Sequence, residues 1–168
     1  MEPVETATAT LLATDGSGYD PQQATDTALT EIQRVLQTYH ATTTVVRHPP
    51  DTRTQVRAHY DPHQVADDPH FGELPADGGT ITVRWFAGQT ADADPEFSFH
   101  YVDDAGFEGG WHRHPEPHVA TLSHRQWCTP ADRADEYHRE ETTYDSHRPV
   151  PLCWELLERL ADALRADT

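Results

Sequence analysis

The sequence contains no lysine and no asparagine, and it has only two cysteines, Cys128 and Cys153. These two cysteines form no CxxC pair, so we expect free thiols in a reducing compartment rather than a disulfide framework. No apolar run approaches the roughly 18 to 20 residues of a membrane-spanning helix. The N-terminus also lacks the basic segment and apolar run of a secretory signal. These absences predict a cytoplasmic protein with no membrane partner.

Acidic residues are what the sequence has in abundance. It has 29 Asp and Glu residues against 12 cations, all of them arginine, which gives a formal net charge of −17. Self-repulsion normally limits such a charge, but at 1 M salt the Debye length falls to about 3 Å and screens it. A composition rich in acid and threonine, with arginine as its cation, resembles that of proteins from salt-accumulating haloarchaea. We therefore interpret the net charge as a halophilic, archaeal adaptation. Because the net charge then says little about binding partners, partners have to be inferred from local patches of charge on the surface.

The chain is long enough for one domain with a substantial core. Residues 1–19 are rich in Thr, Ala and Gly with little periodicity, which predicts a disordered tail. Residues 20–168 are predicted to form the single domain, with a long loop over Asp61–Gly79, where prolines and glycines accumulate. We find no internal repeat in the sequence.

Helix signals stand at both ends of this domain. Asp20 can cap a helix that begins with Pro21, and apolar residues recur at helical spacing up to Tyr39. After Pro149, a leucine stripe that includes Leu156 and Leu160 predicts a second amphipathic helix. Extended patterns between the helices predict strands at 42–46, 54–60, 80–87, 96–102, 107–113 and 119–122, and Thr129–Asp132 resembles a further helix start. The fold class is therefore predicted as α+β, with an antiparallel sheet of about five or six strands packed on one face by the N- and C-terminal helices.

Alternation within the strands predicts which side chains share a face of the sheet. Aliphatic and aromatic residues at every second position predict the face that the helices cover. The opposite face collects a set of basic residues: Arg57, His59, Arg84 and His100. The next strand adds either Trp111 and Arg113 or His112 and His114 to this face, because its sequence does not show which of its alternate positions point toward the core. Such a face is either a binding surface or an ordinary solvated one.

Histidine is concentrated between Phe97 and Cys128. Five of the 12 histidines lie in this segment, namely His100, His112, His114, His118 and His124. Histidine gains and loses a proton near neutral pH and is also the commonest metal ligand. The cluster therefore predicts either acid–base catalysis or a metal site.

Acid–base catalysis needs one neutral and one protonated histidine, and a cation to stabilise developing charge. His100 with His112 or His114 supplies the pair, and Arg113 is the predicted charge stabiliser. Such a set can cleave RNA through the ribose 2′-hydroxyl without a metal or another cofactor. The predicted substrate contacts are Arg57, His59, Arg84 and Trp111.

Metal binding is the alternative use of the same histidines. His112 and His114 share one face of a strand, and His118 and His124 follow, with Cys128 as another possible donor. Zinc accepts nitrogen and sulfur donors in tetrahedral geometry. The spacing matches no established zinc motif, and the prolines at 115 and 117 restrict closure of the segment. Zinc is therefore the alternative cofactor in this interpretation.

The segment Phe97–His118 also resembles the TumE family, which consists of small proteins regarded as toxins of toxin–antitoxin pairs. The family carries an aromatic-x-aromatic-His strand, an Asp three residues on, a Gly six residues on and then a His/Pro-rich loop. His100, Asp103 and Gly106 match that spacing, and His112–His118 corresponds loosely to the loop. This chain lacks the family's Asp-Asn before the histidine pair and has a shorter loop. The resemblance implies an RNA-directed toxin acting beside a small helix-turn-helix antitoxin.

The leading hypothesis is thus a TumE-like endoribonuclease toxin with a histidine and arginine site. A non-enzymatic interaction protein, with the leucine-rich C-terminal helix as its partner surface, is the second hypothesis, and a zinc-binding module is the third. A second copy of the chain is a further candidate partner.

Overall fold

The computed structural model describes residues 18–64, 78–115, 121–129, 132 and 136–166. Within these ranges the chain forms two α-helices, α1 (Pro21–Thr38) and α2 (Pro149–Ala166), and a short 3-10 helix at Pro62–Gln64. Seven strands lie between α1 and α2: β1 (Thr42–His48), β2 (Gln55–Tyr60), β3 (Gly79–Phe86), β4 (Glu96–Asp103), β5 (Glu108–Arg113), β6 (Ser123–Cys128) and β7 (His138–Glu141). The predicted α+β class is confirmed, and the sheet has seven strands rather than five or six.

The sheet is a meander in which each strand pairs antiparallel with the next along the chain. Both helices contribute their apolar faces to one core with a single face of this sheet. That face carries the alternating apolar residues, which are buried: Val56, Ala58, Tyr60, Ile81, Val83, Trp85, Phe97, Phe99, Tyr101 and Trp111. We call this the helix face, and we call the opposite side of the sheet the outer face.

Local signals account for both helices. The Asp20 side chain caps α1 by accepting hydrogen bonds from the backbone N–H groups of Gln22 and Gln23, at 2.9 and 3.3 Å. In α2, Leu156 and Leu160 are buried in the core, as predicted. The leucine stripe therefore packs inside this chain, so it is not a free surface for a partner. No helix among the described residues is long and apolar enough to cross a membrane.

A tight turn after Asp103 sets the pairing of β4 with β5. The carboxylate of Asp103 accepts hydrogen bonds from the backbone N–H groups of Ala105 and Phe107, each at 3.0 Å. Gly106 has a φ of 95°, a left-handed conformation that glycine adopts without steric cost. This turn places Phe99 opposite Trp111 and Ser98 opposite His112.

The last third of the sheet differs from the prediction. The strand expected at 119–122 lies instead at Ser123–Cys128, and residues 119 and 120 fall outside the described residues. Where the sequence resembles a helix start, Thr129 and Asp132 close a hydrogen-bonded turn. The chain then enters β7, all four residues of which are exposed. Strands β6 and β7 were not predicted at these positions, because these strands at the end of the sheet contain too few apolar residues to show an alternating pattern.

Two other predictions fall mainly outside the described residues, namely the tail at 1–19 and the loop at 61–79. In the described part of the first, the hydroxyl of Tyr19 donates a hydrogen bond of 3.0 Å to the carbonyl of Gly88.

Candidate metal centre on the outer face

The register of the strands aligns polar residues in rows across the outer face. In one row, Arg57, Thr82, His100 and Gly110 are successive cross-strand partners. In the next row, Arg84, Ser98, His112 and His124 are successive partners. The outer face therefore carries Arg57, Arg84 and His100, as alternation predicted, and it also carries His112 and His124.

The phase of β5 separates two predicted site residues from this face. Trp111 lies opposite Phe99 on the helix face and is buried. Arg113 lies opposite Phe97, donates a hydrogen bond to the carbonyl of Pro95 at 2.7 Å and pairs with Asp94 at 3.2 Å. Because side chains alternate along a strand, neither can join His112 on the outer face. The structure therefore does not bring Arg113 and Trp111 together with His112 on one face, and their roles as charge stabiliser and substrate contact stay predictions.

Three of the predicted histidines meet where β5 and β6 pair. His112 lies directly opposite His124. His114 follows the end of β5, and its backbone N–H donates to the carbonyl of Leu122 at 3.0 Å. One nitrogen from each of these three rings lies within 4.8 Å of the other two. We call His112, His114 and His124 the histidine triad.

The spacing of the triad resembles that of ligands around one tetrahedral ion. Nδ1 of His112 and Nε2 of His114 lie 3.4 Å apart, and two nitrogens at zinc-bond length in a tetrahedral site are about 3.3–3.4 Å apart. The centres of three imidazoles bound in this way lie about 5.2 Å apart. The observed distances between ring centres are 5.2 Å for His112–His124, 5.4 Å for His112–His114 and 5.7 Å for His114–His124.

The triad is shielded from solvent, and this affects its charge. His124 is fully buried, His112 is 6% exposed and His114 is partly exposed. Burial, reinforced by the neighbouring rings of His124 and His114, lowers the pKa of His112 to about 3. His112 is therefore neutral near pH 7, which is the form that binds metal. A neutral His112 is not the protonated partner that acid–base catalysis requires.

His100 lies beside the triad without belonging to it. Its ring centre is 6.2 Å from that of His112, and its Nε2 lies 3.0 Å from Oε1 of Glu108. Burial lowers the pKa of His100, whereas Glu108 opposes this shift and Arg84 adds to it. Glu108 was not among the predicted site residues, although alternation along β5 places it on the same face as His112.

The remaining predicted substrate contacts lie two or three strands from the triad. Nε of Arg84 donates to Oε1 of Gln55 at 3.1 Å. Nε of Arg57 is buried with no hydrogen-bond partner among the described residues. Arg57 and the exposed His59 line a cavity of about 550 Å³ together with Thr80, Thr82 and Asp103. This part of the face is thus basic but not free of carboxylates.

Two predicted metal ligands are not part of the described cluster. His118 lies outside the described residues. Cys128 lies four residues beyond His124 on β6, about 13 Å along an extended strand. Cys128 and Cys153 are both buried thiols that form no disulfide, as the sequence analysis expected.

Comparison with protein-family models, with curated proteins and with solved structures finds no match for this chain.

Proposed function

We propose that this protein binds a divalent transition-metal ion, with zinc as the best fit, through His112, His114 and His124. The observation that carries the proposal is the 3.4 Å separation of Nδ1 of His112 from Nε2 of His114, with His124 directly across the strand pair. Neutral imidazole is a preferred ligand of zinc, copper, iron and nickel. Because all three donors are nitrogens and the expected geometry is tetrahedral, zinc is the ion to test first.

Three protein ligands leave one coordination position for water or substrate. This arrangement is typical of catalytic zinc sites, whereas structural sites are closed by four protein ligands. Zinc in such a site activates bound water near neutral pH and polarises carbonyl or phosphoryl oxygens. The proposed class of activity is therefore metal-assisted hydrolysis. His118 is the alternative fourth ligand, and its participation would make the centre structural.

Metal content and affinity test this proposal. We expect the protein, purified at molar KCl without added chelator, to bind one zinc per chain in competition with a chromophoric chelator. His114→Ala should remove stoichiometric binding, and His59→Ala, which changes an exposed histidine on the same face, should not. His118→Ala should leave the affinity unchanged at an open centre and weaken it at a closed one. A wild-type protein that binds no zinc at micromolar concentration would overturn the proposal.

A second candidate is the TumE-like endoribonuclease toxin, partnered by a small helix-turn-helix antitoxin. The observation that favours it is the pair Arg57 and Arg84 on the outer face beside His100. In a protein of net charge −17, neither arginine forms an ion pair with a carboxylate of the described residues. Unpaired arginines are suited to phosphate oxygens. In this candidate Arg84 replaces Arg113 as the cation near His100.

The two candidates respond differently to chelation. Cleavage by histidines alone should persist in EDTA and be lost in His100→Ala, whereas hydrolysis at the triad should stop when the metal is removed. Loss of RNA cleavage in Arg57→Gln and Arg84→Gln, without loss of zinc affinity, would support the outer face as the RNA-binding surface. The absence of cleavage of any RNA in molar KCl, with and without zinc, would count against the second candidate.

A further inference from the structure

We infer that the outer face carries a second binding site, at which Arg57 and Thr82 bind the oxyanion of a small molecule. The site is the cavity of about 550 Å³ that residues of β2, β3 and the end of β4 line. A phosphate group and a carboxylate both supply the oxygen acceptors that a guanidinium binds. Three strand spacings, about 14 Å, separate β2 from β5 of the metal centre. The inference therefore goes beyond the proposed function and does not depend on it.

Arg57 is a partly buried cation without a partner among the described residues. Its Nε is shielded from solvent and has no hydrogen-bond acceptor there, and no described carboxylate forms an ion pair with it. Other arginines of the described part do pair with carboxylates, namely Arg47, Arg113, Arg125, Arg159 and Arg165. A buried polar group that lacks a partner costs free energy. An acceptor that enters through the cavity would therefore stabilise the folded protein.

The strand register gathers further hydrogen-bond donors around Arg57. Arg57 lies opposite Thr82, and His59 lies opposite Thr80, in two cross-strand pairs on the outer face. The Cβ atoms of directly opposed residues lie about 4.5–5.5 Å apart, so these side chains form one patch, which lines the cavity. A guanidinium, an imidazole and two hydroxyls can all donate hydrogen bonds. This concentration of donors suits the several oxygens of one anion.

The other end of the cavity is acidic, and this restricts the ligand. Thr82 lies three residues from Gly79 along β3, about 10 Å, and Gly79 lies opposite Asp103. Both carboxylate oxygens of Asp103 already accept hydrogen bonds within the protein, whereas Asp104 is exposed. Because Asp104 repels a second anionic group, the cavity suits a ligand with a single anionic end and hydroxyl or ammonium groups at the other end.

The Nε–H signals of arginine in proton–nitrogen-15 NMR spectra test the inference on the full-length protein in molar KCl. Inorganic phosphate and acetate are the two probes, used separately. We expect at least one of them to shift the Arg57 signal saturably at millimolar concentration, because salt screens a partly buried contact less than an exposed one. The signal of Arg34, an exposed arginine on α1, is the internal control and should not saturate.

Two variants test the donors, with the backbone amide of Thr80 as the reporter. We expect Arg57→Gln to weaken binding of the probe by at least about 10-fold, as loss of a charged hydrogen-bond donor does. Thr82→Val should weaken it by about 2- to 10-fold, which corresponds to one hydrogen bond. Thr43→Val is the matched control, because Thr43 lies opposite His59 on the edge strand β1 and does not line the cavity.

The comparison of probes identifies the ligand. Tighter binding of phosphate would support a phosphate ester, and tighter binding of acetate would support a carboxylate. Absence of a saturable Arg57 shift with both probes would overturn the inference. Phosphate binding that persists in Arg57→Gln and is lost in His114→Ala would also overturn it, since the anion would then occupy the metal centre. Shifts of Arg57 and Arg84 with a single-stranded oligonucleotide, but with neither small anion, would instead assign this surface to RNA.

Discussion

The hydroxyl of Tyr144 donates a hydrogen bond of 3.0 Å to the backbone carbonyl of His112. Tyr144 follows β7, and its ring packs edge-on against Phe97 in the core, with ring centres 5.1 Å apart. The guanidinium of Arg159, from α2, lies 5.4 Å from the centre of the same ring. Tyr144 therefore connects the helix layer to the backbone of a proposed metal ligand.

Tyr144→Phe should remove this hydrogen bond and keep the packing of the ring. We expect the free energy of unfolding to fall by about 0.5–1.5 kcal/mol, which is typical for one hydrogen bond. Zinc affinity should fall slightly because the end of β5 is held less firmly. Denaturant unfolding with and without zinc measures both effects. Unchanged values in both states would show that the bond does not contribute.

Leu160→Ala should destabilise the protein by about 2–5 kcal/mol, because the substitution leaves a cavity in the core. Leu160 is fully buried, whereas Leu122 is 48% exposed, so Leu122→Ala is a control with the same chemical change. We expect the control to have an effect below about 1 kcal/mol. Equal effects of the two substitutions in urea unfolding would contradict the packing of α2 described above.

Dilution of salt should unfold the protein if the net charge of −17 is a halophilic adaptation. Loss of screening lets the carboxylates repel one another and favours the expanded chain. Circular dichroism during dialysis from molar KCl into dilute buffer measures this transition. Sucrose at the same osmolality is the control and should not substitute for KCl, because it carries no charge. Full stability in dilute buffer would contradict the halophilic interpretation.

The stability of the metal-free protein should fall as the pH drops below about 6.5, in part because of His112. Burial lowers the pKa of folded His112 to about 3, while the unfolded chain binds a proton near pH 6.5. Between these values the unfolded state holds more protons, so acid favours unfolding. We expect His112 to contribute up to about 1.4 kcal/mol per pH unit in this window.

Comparison with His112→Gln between pH 7 and pH 5 isolates this contribution, because the variant lacks the buried imidazole. The wild-type protein should lose more stability than the variant over this range. Parallel pH profiles, or an NMR titration that places the pKa of His112 near 6.5, would contradict the described burial.

Several parts of this structure could be predicted from local sequence. Helix α1 follows from the cap at Asp20 and the helical spacing of its apolar residues, and α2 follows from its leucine stripe. Alternation in β2, β3 and β4 assigned Arg57, Arg84 and His100 to the outer face, because strands with one buried face have a strict period of two. Those strands contain enough aliphatic and aromatic residues to make the period visible.

The phase of β5 could not be predicted in this way. Its sequence, EGGWHR, contains one large apolar residue and two glycines, so either set of alternate positions is compatible with the core. The turn at Asp103–Gly106 and the pairing of Phe99 with Trp111 decide the phase. They place His112 outward and turn Arg113 toward the helix layer.

The sequence by itself therefore determined that this acidic α+β protein has a face rich in histidine and arginine, because composition and alternation are local properties. Only the tertiary structure decided which of those histidines meet. His112 and His124 are 12 positions apart in the chain, and they become neighbours because the register of β5 with β6 sets them opposite each other. Burial between these strands then lowers the pKa of His112, and this effect depends on surroundings that no single strand carries in its own sequence.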